Sequence, residues 1–62
     1  MNNSVKEVRE ALGISQEHMA LKMGSTSALV ANWENLHILP RRENFLRKLR
    51  ELAGQAGIEI EL

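Results

Sequence analysis

The sequence predicts an all-α fold, a compact set of four short helices followed by a short C-terminal strand or extended tail. Apolar residues recur at helical spacing in four separate stretches. Gly13 and Gly24 stand directly after the first two stretches, where a left-handed residue commonly ends a helix. The chain has 62 residues and no cysteine, so helix packing must supply the stability without disulfides. We expect residues 1–62 to form a single domain.

The first helix is predicted over residues 4–12. Ser4 and Glu7 have the spacing of a capping box, in which a serine and a glutamate three residues later each accept a hydrogen bond from the other's backbone N–H. The apolar residues of this helix recur at helical spacing and define one face, which consists of Val5, Val8, Ala11 and Leu12.

The next two helices are predicted over residues 15–23 and 26–36. Ser15 caps the first of them, and Ser25 or Thr26 caps the second, because a hydroxyl oxygen can accept from the free N–H groups of a first turn. The side chains expected to enter the core from these helices are Met19, Ala20, Met23, Val30 and Trp33.

Residues 36–40 are predicted to be a loop, since the residue before a proline is biased away from helix. The fourth helix is predicted over residues 41–54, and Gly54 and Gly57 are alternative ends for it. Its apolar face consists of Phe45, Leu46, Leu49, Leu52 and Ala56.

The tail, residues 58–62, alternates apolar and acidic residues, which is the period of a half-buried strand. Such a short strand is not stable without a partner strand, and the simplest partner is the same strand of another copy. We therefore expect Ile58, Ile60 and Leu62 to form a dimerisation segment. A frayed end or a helical turn is the alternative.

Several classes of function lack support in the sequence. No apolar run approaches the roughly 20 residues of a membrane span, and the N-terminus has no secretion signal, so we expect a cytoplasmic protein without a membrane partner. His18 and His37 lie far apart without carboxylates at metal-ligand spacing, and we expect both to be solvated. With no phosphate-binding glycine loop and no nucleophile–base arrangement, we expect no enzyme activity, cofactor, metal or small-molecule ligand.

Charge is balanced overall but uneven along the chain. The chain has eight Lys plus Arg residues and eight Asp plus Glu residues. This balance by itself argues mildly against nucleic acid as a binding partner. The basic residues concentrate between residues 41 and 54, and a basic face can bind phosphate even on a neutral protein. Arg41 and Arg42 follow the predicted loop and are the best candidates for phosphate contacts outside the second and third helices.

One set of motif residues resembles a known family. The set comprises Gly13-Ile14-Ser15-Gln16-Glu17, Ala20, Gly24, Trp33-Glu34-Asn35 and Pro40, followed by an apolar helix. Together they resemble the lambda-repressor/Cro-like helix-turn-helix family, also called the xenobiotic-response-element (XRE) family, from Val5 to Leu52. The resemblance implies that the second helix braces the third, which enters the major groove of double-stranded DNA.

The resemblance also implies roles for individual residues. Arg9 and Glu34 match a structural ion pair, for which a solvated Arg9 is the alternative. Base reading would fall to Ser27, Ala28, Ala31 and Asn32. Phosphate contacts would come from Gln16, Thr26 and Asn35, together with Arg41 and Arg42.

Two features of the sequence depart from the family. The predicted reading face has no Lys or Arg and only two polar side chains, those of Ser27 and Asn32. Leu36 replaces the glycine that usually follows Glu-Asn, so the third helix is expected to continue further or to exit differently. Leu21, at a position that is usually charged, is expected to join Ile38, Leu39 and the tail in a contact surface.

Two hypotheses about function follow. The first is a sequence-specific transcriptional regulator, a small phage or bacterial repressor that binds its operator as a homodimer. The second is a protein-interaction module, an antitoxin-like or adaptor subunit, whose apolar third helix faces a protein. The basic flank favours the first hypothesis, and the balanced charge and the alanines of the third helix favour the second.

Overall fold

The computed structural model describes residues 4–60, which form four α-helices. Helices α2 and α3 pack against each other, α1 packs against α3 and α4, and α2 also contacts α4. The all-α fold class predicted from the sequence is confirmed. The helices are α1 (Ser4–Leu12), α2 (Gln16–Met23), α3 (Ser27–Asn35) and α4 (Glu43–Ala56).

All four helices contribute to a single core. Trp33 meets Phe45 edge-on, with ring centroids 5.4 Å apart and planes inclined by 61°, an arrangement that aromatic pairs favour. Leu12, Ile14, Phe45 and Ile60 pack on the core from its edge, whereas Ala11 is exposed. The buried apolar side chains are Val5, Val8, Met19, Ala20, Met23, Val30, Trp33, Leu49, Leu52 and Ala53.

The helices end by one shared hydrogen-bond pattern, the Schellman motif, in which two backbone N–H groups beyond the helix bind carbonyls of its last turn. The motif needs a left-handed residue, and Gly13, Gly24 and Gly57 supply it after α1, α2 and α4, with φ between 67° and 72°. After α3 the left-handed residue is His37, with φ of 55°. Helix α3 therefore exits through a histidine, one residue beyond Leu36.

The bounds of α4 differ from the prediction. The helix begins at Glu43, two residues later than predicted, because Arg42 has an extended backbone and is the N-cap. It also passes through Gly54 and ends at Ala56, with Gly57 as its C-cap. Gly54 has no positive φ, and its neighbours Leu52 and Ala53 are buried in the core. Packing therefore overrides the weak helix propensity of this glycine.

The predicted C-terminal strand is wrong for the part of the tail that the structure describes, residues 58–60. The Ile58 N–H binds the Ala53 carbonyl at 2.9 Å and so completes the end of α4. Ile60 packs on the core of its own chain. Ile60 thus finds cover on its own chain. Leu62 lies outside the described residues.

Candidate nucleic-acid interface

Helix α3 is anchored at its N-terminus and buried along one side. Thr26 is extended, and its Oγ1 accepts a hydrogen bond from the Leu29 N–H at 3.2 Å, which satisfies a free amide of the first turn. Val30 and Trp33 face the core. On the opposite side the candidate base-reading residues Ser27, Ala28 and Asn32 are exposed, and the fourth candidate, Ala31, is half-buried beside them.

Helix α2 begins beside the end of α3. Ser15 caps it through a 3.1 Å hydrogen bond from the His18 N–H to its Oγ. Gln16, a candidate phosphate contact, is the first residue of α2 and is half-buried. Its Nε2 donates to Glu34 Oε1 at 3.3 Å. The Gln16 carboxamide is therefore hydrogen-bonded to α3, a contact for which the sequence gives no signal.

Arg9 and Glu34 form a bidentate ion pair between α1 and α3. Arg9 Nε donates to Glu34 Oε2 at 2.7 Å, and Arg9 Nη2 donates to Glu34 Oε1 at 3.1 Å. The side chains are 18% and 5% exposed. Arg9 Nη1 also donates to the Ile14 carbonyl at 3.0 Å, in the turn between α1 and α2. The ion pair therefore holds α1, the following turn and α3 together.

The ion pair shifts the pKa of both partners. Burial is the strongest influence on the Glu34 carboxyl and raises its pKa. Hydrogen bonds from Arg9 and Gln16 and the positive charges of Arg9 and Lys6 outweigh burial and lower the pKa of Glu34 below its usual value. For Arg9, the hydrogen bond to Glu34 raises the pKa most, against the opposing effect of burial. Both groups are therefore charged at neutral pH.

Arg41 and Arg42 lie between the end of α3 and the start of α4 and are both exposed. Asn35, the last residue of α3, is exposed as well. The two arginines border a groove whose other lining residues are apolar, namely Leu29, Trp33, Ile38, Leu39 and Phe45. The described part of this groove has no acidic lining residue, so its electrostatic character is set by the two guanidinium groups.

Comparison with known proteins agrees with this geometry. A family model described as helix-turn-helix matches residues 5–52. The chain belongs to the lambda-repressor/XRE-like helix-turn-helix family. This is a family of DNA-binding regulators that is typically non-enzymatic. The searches of curated proteins and of solved structures found no match.

The apolar surface of this helix-turn-helix protein is divided into two parts. Leu29 is exposed in the first turn of α3, and Leu36, Ile38 and Leu39 are exposed after the end of that helix. Leu21 on α2 is 80% exposed, but it borders a different groove, with Glu17, Ala20, Ser25 and Ser27. Leu21 was expected to form one contact surface with Ile38 and Leu39, but it borders a different groove from theirs.

Some kinds of site are not found among residues 4–60. Within this range no helix is both long enough and apolar enough to cross a membrane. No three histidine or acidic side chains of the described chain come together as metal ligands would. His18 and His37 are both exposed.

Proposed function

We propose that this helix-turn-helix protein is a sequence-specific transcriptional regulator, a small cytoplasmic repressor of phage or bacterial origin that binds its operator as a homodimer. The exposed face of α3, braced by α2 and fixed by a buried ion pair in a chain of this family, is the observation that carries the proposal. Half-sites about one helical turn apart, roughly 34 Å, would suit a symmetric dimer.

Base recognition would rest on few side chains. Asn32 is exposed on α3 and can bind adenine through two hydrogen bonds, a contact worth about 1–3 kcal/mol of discrimination. Ser27 can donate to or accept from either kind of base, and Ala28 can contact a thymine methyl group. Ala31, which is half-buried, would add an apolar contact. We therefore propose a reader of modest specificity.

Phosphate contacts would supply much of the affinity. Gln16 and Thr26 stand at the N-termini of α2 and α3, where free N–H groups favour an anion. Asn35, Arg41 and Arg42 are exposed beyond the other end of the reading face. Among these five residues only the two arginines carry charge, so they would account for the counterions released by these contacts.

Binding to duplex DNA selected from a random-sequence library tests the proposal. Asn32→Ala is expected to relax preference at one base position and to cost about 1–3 kcal/mol at the selected site. Arg41→Ala/Arg42→Ala is expected to reduce the slope of log K against log salt by about 1.8 and to weaken all sequences alike.

The matched control is Arg47→Ala/Arg50→Ala, which removes the same charge from exposed α4 positions that do not line the groove of Leu29, Trp33 and Ile38. This control should change the salt slope less than the Arg41/Arg42 variant does. Failure of the library to yield any sequence bound more tightly than random DNA would contradict sequence-specific regulation.

A protein-interaction module is the second candidate function. It is favoured by exposed aliphatic residues, which are Leu29 in the first turn of α3 and Leu36, Ile38 and Leu39 after its end, and by the zero net charge. This function predicts that Asn32→Ala and the double arginine variant leave DNA binding unchanged. The same titrations therefore separate the two functions.

A further inference from the structure

The carboxylate of Glu34 joins three helices. Its Oε2 accepts from Arg9 Nε on α1 at 2.7 Å, and its Oε1 accepts from both Arg9 Nη2 at 3.1 Å and Gln16 Nε2 at 3.3 Å. Glu34 itself belongs to α3 and is only 6% exposed. The same oxygen thus binds one charged donor on α1 and one neutral donor at the start of α2.

Gln16 has the donors for a second contact. A glutamine carboxamide carries two N–H groups and one carbonyl oxygen, and one N–H is directed to Glu34. The second N–H can point outward from the first turn of α2, where backbone N–H groups also favour an anion. A phosphate oxygen is the anion that the proposed DNA complex brings to this position.

Fixing a glutamine side chain has an entropic cost, since its several rotatable bonds must adopt one conformation. The hydrogen bond to Glu34 imposes that conformation within the folded protein, before DNA binds. Arg9 holds the accepting carboxylate through two hydrogen bonds and holds the turn before α2 through the Ile14 carbonyl at 3.0 Å. The ordering cost is then met during folding, and DNA association is favoured accordingly.

We propose that Glu34, held by Arg9, is a positioning residue that presents the Gln16 carboxamide to a DNA phosphate. The proposal rests on the proposed DNA-binding function. It assigns the buried ion pair a role in phosphate recognition in addition to its role in the fold. Glu34 does not itself contact DNA, because it is buried and negatively charged.

A double-mutant cycle tests the coupling between the two residues. The proteins are the wild type, Gln16→Ala, Glu34→Gln and the double variant, and the probe is a mixed-sequence 24-base-pair duplex titrated at two salt concentrations. Glu34→Gln weakens the acceptor for Gln16 and also removes a negative charge, which by itself strengthens attraction to phosphate. Comparing the substitution in the two Gln16 backgrounds cancels the charge effect.

The expected result is non-additive. The effect of Glu34→Gln is the ratio of the variant's DNA affinity to that of its parent. We expect this ratio to be about 3- to 10-fold lower when Gln16 is present than in the Gln16→Ala background. Gln16→Ala should weaken binding without changing the salt slope, since glutamine is neutral and releases no counterion. Equal effects of Glu34→Gln in both backgrounds would show that the ion pair acts on the fold alone and would overturn the proposal.

Side-chain amide NMR of the DNA-free protein gives a second readout. In the wild type the Gln16 carboxamide should show a distinct, ordered pair of N–H signals, and these should move toward free glutamine in Glu34→Gln. If that variant fails to fold, Arg9→Lys disturbs the same carboxylate while keeping both charges, and it should show the same coupling to Gln16. A Gln16 amide that is mobile in the wild type would contradict the proposal.

The outcomes also separate this proposal from the proposed function. A wild-type protein that does not bind the duplex, or that binds equally well as Gln16→Ala, contradicts the DNA contact itself. Duplex binding that depends on Gln16 but shows no coupling to Glu34 contradicts only the positioning role.

Discussion

His37 adopts a left-handed backbone where the other three helices use glycine. A side chain with a Cβ in this region is strained by about 1–2 kcal/mol relative to ordinary backbone. The sequence predicted an altered exit at Leu36, yet it did not place the left-handed residue at His37. Histidine is enriched several-fold in this conformation, but residues other than glycine adopt it in only a few per cent of cases, so a histidine in a loop gives no clear signal.

Relief of this strain should stabilise the protein. We expect His37→Gly to raise the free energy of unfolding by about 0.5–1 kcal/mol, because the strain relieved exceeds the added freedom of the unfolded chain. Urea denaturation monitored by circular dichroism measures the change. Gly24→Ala, at φ of 70°, is the matched comparison and should lower stability by about 1 kcal/mol. Lower stability of His37→Gly would contradict the strain.

Removing one partner of the ion pair should destabilise the fold strongly, whereas replacing both partners with apolar residues should not. Arg9→Met leaves the Glu34 carboxylate buried without its main partner, so we expect a loss of about 3–5 kcal/mol. Arg9→Met/Glu34→Met removes both charges and should recover most of that loss. Thermal and urea unfolding of the two variants measure the difference. A double variant no more stable than Arg9→Met would contradict this account.

Acid should weaken the fold through Glu34. Its pKa in the folded protein is lower than in the unfolded chain, so the unfolded state binds a proton more readily. The stabilisation is fully present above the unfolded-state value of about 4.3 and is lost as the pH falls through the lower folded-state pKa. Unfolding free energies measured between pH 7 and pH 2 should show this decline, and Arg9→Met/Glu34→Met should show a smaller one.

At the scale of the elements, the helices could be predicted from their capping residues and from the helical spacing of apolar residues. Glycines mark the ends of the first two helices, and the capping oxygens of Ser15 and Thr26 mark the starts of the next two. Each glycine and the following cap lie within a few residues of one another. These signals are local, so no tertiary information was required. The start of α4 and the tail lack such local signals. Arg42 has no capping side-chain bond, and Ile60 finds its cover on the distant core of the same chain.

The cap of α3 should matter in proportion to its hydrogen bond. Thr26→Ala removes the acceptor for the Leu29 N–H, and we expect a loss of about 1 kcal/mol in unfolding free energy. Thr26→Ser keeps the hydroxyl and should lose much less. Chemical denaturation of both variants makes the comparison. Equal losses would show that the threonine methyl group, and not the hydrogen bond, is responsible.

At the scale of the whole molecule, the candidate site was predictable in part. The motif predicts a reading face on α3, and the structure exposes three of its four candidate residues, Ser27, Ala28 and Asn32. The hydrogen bond between Gln16 and Glu34 was not predictable, because it joins residues 18 apart in sequence through side-chain conformations. The groove beside Arg41 and Arg42 likewise depends on tertiary structure, because residues of the loop after α3 line it together with Trp33 and Phe45.

Dimerisation through Ile58, Ile60 and Leu62 is a prediction for the full chain. Sedimentation of the 7.0 kDa chain over a range of concentrations should show a dimer, and truncation after Gly57 should give a monomer. Because Ile60 packs on its own core, the truncated chain should also unfold more easily. If the truncated chain is still a dimer, the tail is not the interface. The exposed residues Leu36 and Ile38 are then the next candidates for the interface.

The sharing of one core among all four helices bears on attempts to make a small DNA-binding peptide from this protein. Helices α2 and α3 have 8 and 9 residues, fewer than the 12–15 or so at which an isolated helix becomes even marginally stable. Without α1 and α4, the excised pair would expose Met19, Val30 and Trp33 to water. The recognition unit is thus inseparable from its scaffold, and grafting its surface residues onto another folded domain is the sounder route to a synthetic binder.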